Sequence, residues 1–306
     1  MPENYNLIDN NGVKLYIRHI PSAKPSKKAI ILMNSRSLCV ESSMGIPMGS
    51  RSFGEYMADS GIHAFLLDMR GYGLSDPVEE QLVESTADLT KPLSINDYYS
   101  DVIAARNYIV DTLGPDTEVS ILGFSFLGTL VITCAHLYPD AFKNVISLNP
   151  NWINLPVDPP RGVKFWQDNP DVPYNETSIE KINNRLHSSQ PTGKDFTETT
   201  WAEEAAAKLS ACHRTFNHET GTWRYPKDLE WNNHLANVGT MKNVKANLLF
   251  ITAQYDTENP YFIVKRLFDT VGVRNKYLKV LPNSTHLCIW EKSRQTLYKW
   301  TAEFIL

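Results

Sequence analysis

The sequence predicts an α/β protein: a mostly parallel central sheet flanked by helices, with an insertion after its first half. Three observations carry this. Short apolar runs alternate with helix-period segments up to Asn149. The same alternation resumes near Ala246. Between them lies a stretch rich in proline and tryptophan that breaks the pattern. Alternating strands and helices indicate βαβ units, whose strands run parallel.

Asn11-Gly12 separates Tyr5–Ile8 from Val13–Ile20 and predicts a hairpin, because both turn residues tolerate positive φ. Ala29–Met33 is a strand-like run, and Ser52–Ser60 predicts a helix stopped by Gly61. Ile62–Leu67 is a further apolar run, ending at Asp68. Ile95–Leu113 is long and periodic, with Asp97 near its start and Gly114 after its end, which are helix start and stop signals. Val119–Leu122 predicts a buried strand, Phe126–Leu137 an apolar helix and Asn144–Leu148 another strand. After the break, Ala246–Ala253 and Tyr277–Leu281 predict strands, and Pro260–Val271 and Ser293–Ile305 predict helices.

The break carries Trp152, Trp166, Trp201, Trp223 and Trp231, and within it only Trp201–Ser210 reads as strongly helical. Residues 1–149 and 240–306 are therefore expected to form one core, and 150–239 a cap inserted into it.

Composition narrows the partners. A formal charge of −4 over 306 residues, without runs of like charge, disfavours nucleic acid, which would call for a basic patch. No apolar stretch approaches the roughly 18–20 residues that span a bilayer. The N-terminus, Met1 to Asn11, lacks the basic-then-apolar order of a signal peptide. Cys39, Cys134, Cys212 and Cys288 are scattered without a CxxC pair, so neither zinc nor a disulfide framework is expected. Reduced thiols fit a cytoplasmic location.

Gly123-Phe124-Ser125-Phe126-Leu127-Gly128 sits directly between a predicted strand and a predicted helix. A sharp turn there pushes Ser125 out of the sheet and puts the Phe126 N–H at a helix N-terminus, where it can stabilise a developing oxyanion. The plainer reading is a serine that only caps the helix.

A serine hydroxyl is a poor nucleophile until a base takes its proton. Among eight histidines, His286 follows a predicted C-terminal strand, and loops at the carboxyl ends of strands are where open α/β sheets build sites. His19, His63 and His136 fall within elements and read as structural. His187, His213, His218 and His234 fall in the insertion. Asp256, in the loop after Leu248–Ala253, suits the group that fixes the His286 tautomer; its plainer role is to cap the helix opened by Pro260. Glu258 is a nearby rival. The other strand end where an acid could stand carries Asn149.

These residues together resemble the α/β-hydrolase family. Ser125, Asp256 and His286 occur in that family's order of nucleophile, acid and histidine, each after a strand. Asp68-Met69-Arg70-Gly71-Tyr72-Gly73-Leu74-Ser75 resembles the family's D-x-R-G-x-G-x-S segment, usually structural. Two departures stand out. Leu127 occupies the last position of the usual G-x-S-x-G elbow, with Gly128 one later, so a local shift is expected. Asn34-Ser35-Arg36-Ser37 replaces the family's common His-Gly at the first oxyanion loop. The backbone of Ser35 or Arg36 would then pair with that of Phe126, and loss of one such donor costs about 3–4 kcal/mol in the transition state.

The resemblance implies acyl transfer through a covalent Ser125 intermediate, without metal or organic cofactor. The expected partner is a small-molecule acyl substrate, apolar or aromatic, met by Asn34, Phe124 and Trp152. Esters, lactones and thioesters fit first; amide and carbon–carbon cleavage fit the same triad. An acyltransferase that excludes water, or a non-catalytic binding protein of the same fold, are the alternatives.

Overall fold

Asn11 and Gly12 turn with φ of 56° and 85° and join strand β1 (Tyr5–Asn10) to β2 (Val13–Ile20) in an antiparallel pair. This computed structural model describes residues 5–151, 171–227 and 241–306. The hairpin forms one edge of an eight-stranded sheet whose order is β1-β2-β4-β3-β5-β6-β10-β11. Its other members are β3 (Lys28–Met33), β4 (His63–Leu67), β5 (Glu118–Phe124), β6 (Asn144–Leu148), β10 (Asn247–Ala253) and β11 (Lys276–Leu281). Pairing is parallel from β4 through to β11, and β2 is antiparallel to both β1 and β4.

Side chains alternate across the sheet and feed two cores. Ile31, Ile121 and Phe250 pack on one face beneath helices α2 (Ile95–Leu113), α3 (Phe126–Leu137) and α6 (Tyr261–Thr270). Ile30, Leu32 and Leu122 pack on the other with α1 (Phe53–Asp59) and α7 (Arg294–Ile305). Burial of each such side chain contributes about 1.5–3 kcal/mol. Helix starts match their signals: Ser52 with Glu55, and Ser94 with Asp97, each form a capping box.

The stretch between β6 and β10 holds more regular structure than its composition suggests. Its described residues form helices α4 (Ile179–Ser188) and α5 (Trp201–Ala211) and a three-stranded sheet ordered β7 (Tyr174–Ser178), β9 (Thr222–Pro226), β8 (Phe216–Asn217). Only α5 is legible in the sequence. α4 buries Ile182 and Leu186, one turn apart, an apolar stripe too narrow to stand out. The small sheet is built mainly from Thr, Asn and Glu on β7 and closes around Trp223, which is buried and donates its indole N–H to the Ser37 carbonyl at 2.7 Å. The small sheet thus lies against the loop after β3.

Candidate active site

β5, β6, β10 and β11 are successive neighbours, so their carboxyl ends open onto one region. Ser125 follows β5 with φ 57° and ψ −115°, a left-handed conformation that costs a non-glycine residue on the order of 1–3 kcal/mol. Backbone bonds hold it there. The Ser125 N–H donates to the Leu148 carbonyl at 2.8 Å, and its own carbonyl accepts from Gly128 and Asn151 at 2.9 and 3.3 Å. Two glycines make the turn possible. A β-carbon on Gly123 would collide with the Leu127 carbonyl, and one on Gly128 would stand 3.0 Å from that of Leu148. The tight helix–strand approach is therefore made at Gly128, and Leu127 is buried in the core beneath α3, which still starts at Phe126.

His286 and Asp256 arrive from the loops after β11 and β10. The imidazole is fully buried; its Nε2 lies 3.0 Å from Ser125 Oγ and its Nδ1 lies 2.8 Å from Asp256 Oδ2. Among the described histidines, His286 alone bonds Ser125. The remaining Asp256 oxygen, Oδ1, accepts the backbone N–H groups of Glu258 and Asn259, both at 2.8 Å. Both readings of Asp256 are present at once: it ties down its own turn and it bonds the histidine.

Three further side chains fix that arrangement. Asn149, with φ 43°, donates Nδ2 to the His286 carbonyl at 2.9 Å and accepts from Ala253 N–H at 2.7 Å. Glu291 receives both the N–H and the hydroxyl of Thr285, at 2.8 and 2.6 Å, and so grips the histidine loop. Phe124 is wholly buried with its ring 5.2 Å from that of His286, so it supports the imidazole. Burial disfavours charge on His286, but Asp256 and Glu258 outweigh it and raise the histidine above its usual pKa.

Glu258 does not compete for Nδ1. Its Oε2 stands 3.7 Å from Nε2, and its carboxylate is bidentate with Arg185 of α4, at 2.7 and 2.5 Å. Burial works against its charge, yet His286 and Arg185 hold it down at about 2.

At the loop after β3, Asn34 is buried and folds the chain on itself: Oδ1 accepts the Ser35 N–H at 2.8 Å and Nδ2 donates to the Cys39 carbonyl at 2.9 Å. The Arg36 guanidinium stacks over the Phe126 ring at 4.2 Å, and a small cavity lies among Asn34, Ser35, Arg36, Tyr72, Phe126 and Leu127. Arg51 pairs with Asp59 on the surface at 2.8 Å. Asp68 anchors this loop by accepting the Val40 N–H at 2.7 Å, and burial pushes it up to about 7. Arg70 is buried against Asp101 on α2, so the segment from Asp68 to Ser75 is structural. Trp152 and His234 lie outside the described residues. His213 is buried and stacked on Trp223 at 4.7 Å; His187 is exposed.

A mostly parallel sheet with a serine elbow, and a histidine and an acid at neighbouring strand ends, defines the α/β-hydrolase class. The chain belongs to the α/β-hydrolase fold family, whose model matches residues 44–293. Among curated proteins, none matches. Solved structures with the same fold include Est1E from Butyrivibrio proteoclasticus with bound ferulic acid, at 16% identity and TM-score 0.60 over 98% of this chain and 97% of that one. The meta-cleavage product hydrolase of Pseudomonas fluorescens aligns at 17% identity and TM-score 0.66, over 98% and 96%. The monoacylglycerol lipase of Paleococcus ferrophilus aligns at 15% and 0.63, over 95% and 98%. Among the described residues, no helix is long and apolar enough to cross a membrane.

Proposed function

We propose that this protein is a serine hydrolase that cleaves a carboxylic ester, lactone or thioester through an acyl-enzyme on Ser125. The observation that carries the reading is the continuous line from Ser125 Oγ through the imidazole of His286 to Asp256, 3.0 and 2.8 Å long. Ser125 Oγ attacks the substrate carbonyl as its proton passes to His286 Nε2. Asp256 accepts the Nδ1–H and stabilises the imidazolium. The carbonyl oxygen gains the negative charge and is received by the Phe126 N–H at the start of α3. The Ser35 amide is committed to Asn34, which favours the Arg36 amide as the second donor. The imidazolium then protonates the leaving oxygen or sulfur, and a water activated by the same histidine releases the acid and restores Ser125.

Residues 150–239 serve in this reading as a cap. Its described part contacts the loops after β3, β10 and β11 through Trp223 to Ser37, Arg185 to Glu258 and Ser189 to Thr285. A small apolar or aromatic acyl group suits the aromatic content of that segment, and Est1E binds the aromatic acid ferulic acid. Four buried, unpaired thiols fit a reducing compartment such as the cytoplasm.

A fluorophosphonate probe tests the proposal directly. Wild type should label and Ser125→Ala should not; an unlabelled wild type would count against an activated serine. Chromogenic esters of increasing acyl length then size the pocket, and product partition with added alcohol separates hydrolysis from acyl transfer.

A further inference from the structure

Asp256 and Glu258 sit two residues apart in one tight turn, yet they address opposite nitrogens of the same imidazole. Asp256 Oδ2 bonds Nδ1 at 2.8 Å, while Glu258 Oε2 stands 3.7 Å from Nε2, the nitrogen that faces Ser125. The turn enforces the division, because Asp256 Oδ1 holds the Glu258 N–H at 2.8 Å. Glu258 in turn is gripped by both arms of Arg185, which comes from α4 in the inserted segment.

We propose that Glu258 is a positioning residue acting through His286: a counter-charge on the serine side of the imidazole, whose strength is set by Arg185. It rests on the reading of His286 as the base for Ser125. A full negative charge at this distance favours an imidazolium as the serine proton arrives on Nε2. Arg185, bound to the far side of the same carboxylate, offsets part of that field. At 3.7 Å Glu258 is beyond hydrogen-bond reach, so it accepts no proton in the cycle; it biases where the proton rests. Among the described residues, the charged groups acting on the imidazole are Asp256 and Glu258 from the loop after β10 and Arg185 from α4. Tyr225 on β9 interacts electrostatically with Arg185, and on the histidine's own loop Cys288 keeps its proton because it is buried.

The two partners of this ion pair therefore have opposite effects on His286. Burial lowers its proton affinity, Asp256 and Glu258 raise it, and Arg185 lowers it. A merely structural latch between α4 and the β10 loop would behave otherwise, since breaking it from either side gives the same open state.

The test is the titration of His286 followed by NMR in the full-length protein labelled at histidine, its signal assigned with His286→Gln. Glu258→Gln should move the midpoint down by about one pH unit, and Arg185→Met should move it up by a comparable amount. The acid limb of fluorophosphonate labelling should follow in the same directions. Shifts of the same sign in both variants, or no shift in either, would overturn the proposal. The titration requires no turnover, so it decides this inference even if Ser125 fails to label, an outcome that counts against the acyl-enzyme reading alone.

Discussion

The side-chain amide of Asn149 donates to the backbone carbonyl of His286 at 2.9 Å and accepts the Ala253 N–H at 2.7 Å, joining the ends of β6 and β10 to the histidine loop. Asn149→Ala strands both buried partners, at about 1–3 kcal/mol each. Tm should fall by several degrees and fluorophosphonate labelling should slow, because the loop that presents the imidazole loses its tie. Thermal unfolding beside labelling kinetics checks this; an unchanged Tm would show that the loop is held elsewhere.

Asp256→Asn separates the two tasks of that side chain. An amide oxygen can still accept the Glu258 and Asn259 N–H groups, so the circular dichroism spectrum and Tm should stay near wild type. The amide nitrogen would face Nδ1 and force the wrong tautomer, lowering kcat on the order of 10⁴-fold. Glu258 offers no rescue, since it faces Nε2. A near-normal kcat would remove Asp256 from the mechanism.

Activity should be lost on the acid side at a higher pH than an ordinary histidine would give. In the proposed mechanism the neutral imidazole is the base, and the buried His286 is raised above its usual value of about 6.5 because Asp256 and Glu258 outweigh desolvation. As pH falls through the raised value the base becomes protonated and the rate drops. A profile of kcat/KM whose acid midpoint fell below about 6.5 would contradict the electrostatics of the site.

Leu127→Gly, which restores the common elbow pattern, should weaken the protein without improving catalysis. Leu127 is 4% exposed and packs in the core under α3, so the change removes a buried side chain and adds a helical glycine. Together these cost about 3–5 kcal/mol. Denaturant midpoints for Leu127→Gly against wild type measure it; equal stability would mean that the side chain carries no packing.

Core elements are most legible where two signals agree. Ile95–Leu113 has its period, its capping box and Gly114, and both its ends coincide with those of α2. The Ser125, Asp256 and His286 positions could be read from their places after strands. What stayed hidden depends on tertiary contact. Arg185 lies on a helix whose apolar stripe is only Ile182 and Leu186, and nothing local marks it as the partner of Glu258. Phe124, expected among the substrate contacts, is instead turned inward by strand alternation and packs against His286. The shift expected at Leu127 is resolved one residue later, where the missing β-carbon of Gly128 meets the end of β6.

The backbone at Ser125 implies a particular course of evolutionary decay. Its left-handed φ of 57° suits glycine far better than serine, and the hydroxyl's described partner is His286. A gene duplicate relieved of chemistry would become more robust by acquiring glycine there, while an oxygen-bearing side chain at 256 would persist for the sake of its turn. Among descendants of this chain, loss of the serine would be the first mark of lost chemistry in the proposed reading, whereas Asp or Asn at 256 would equally keep the loop intact.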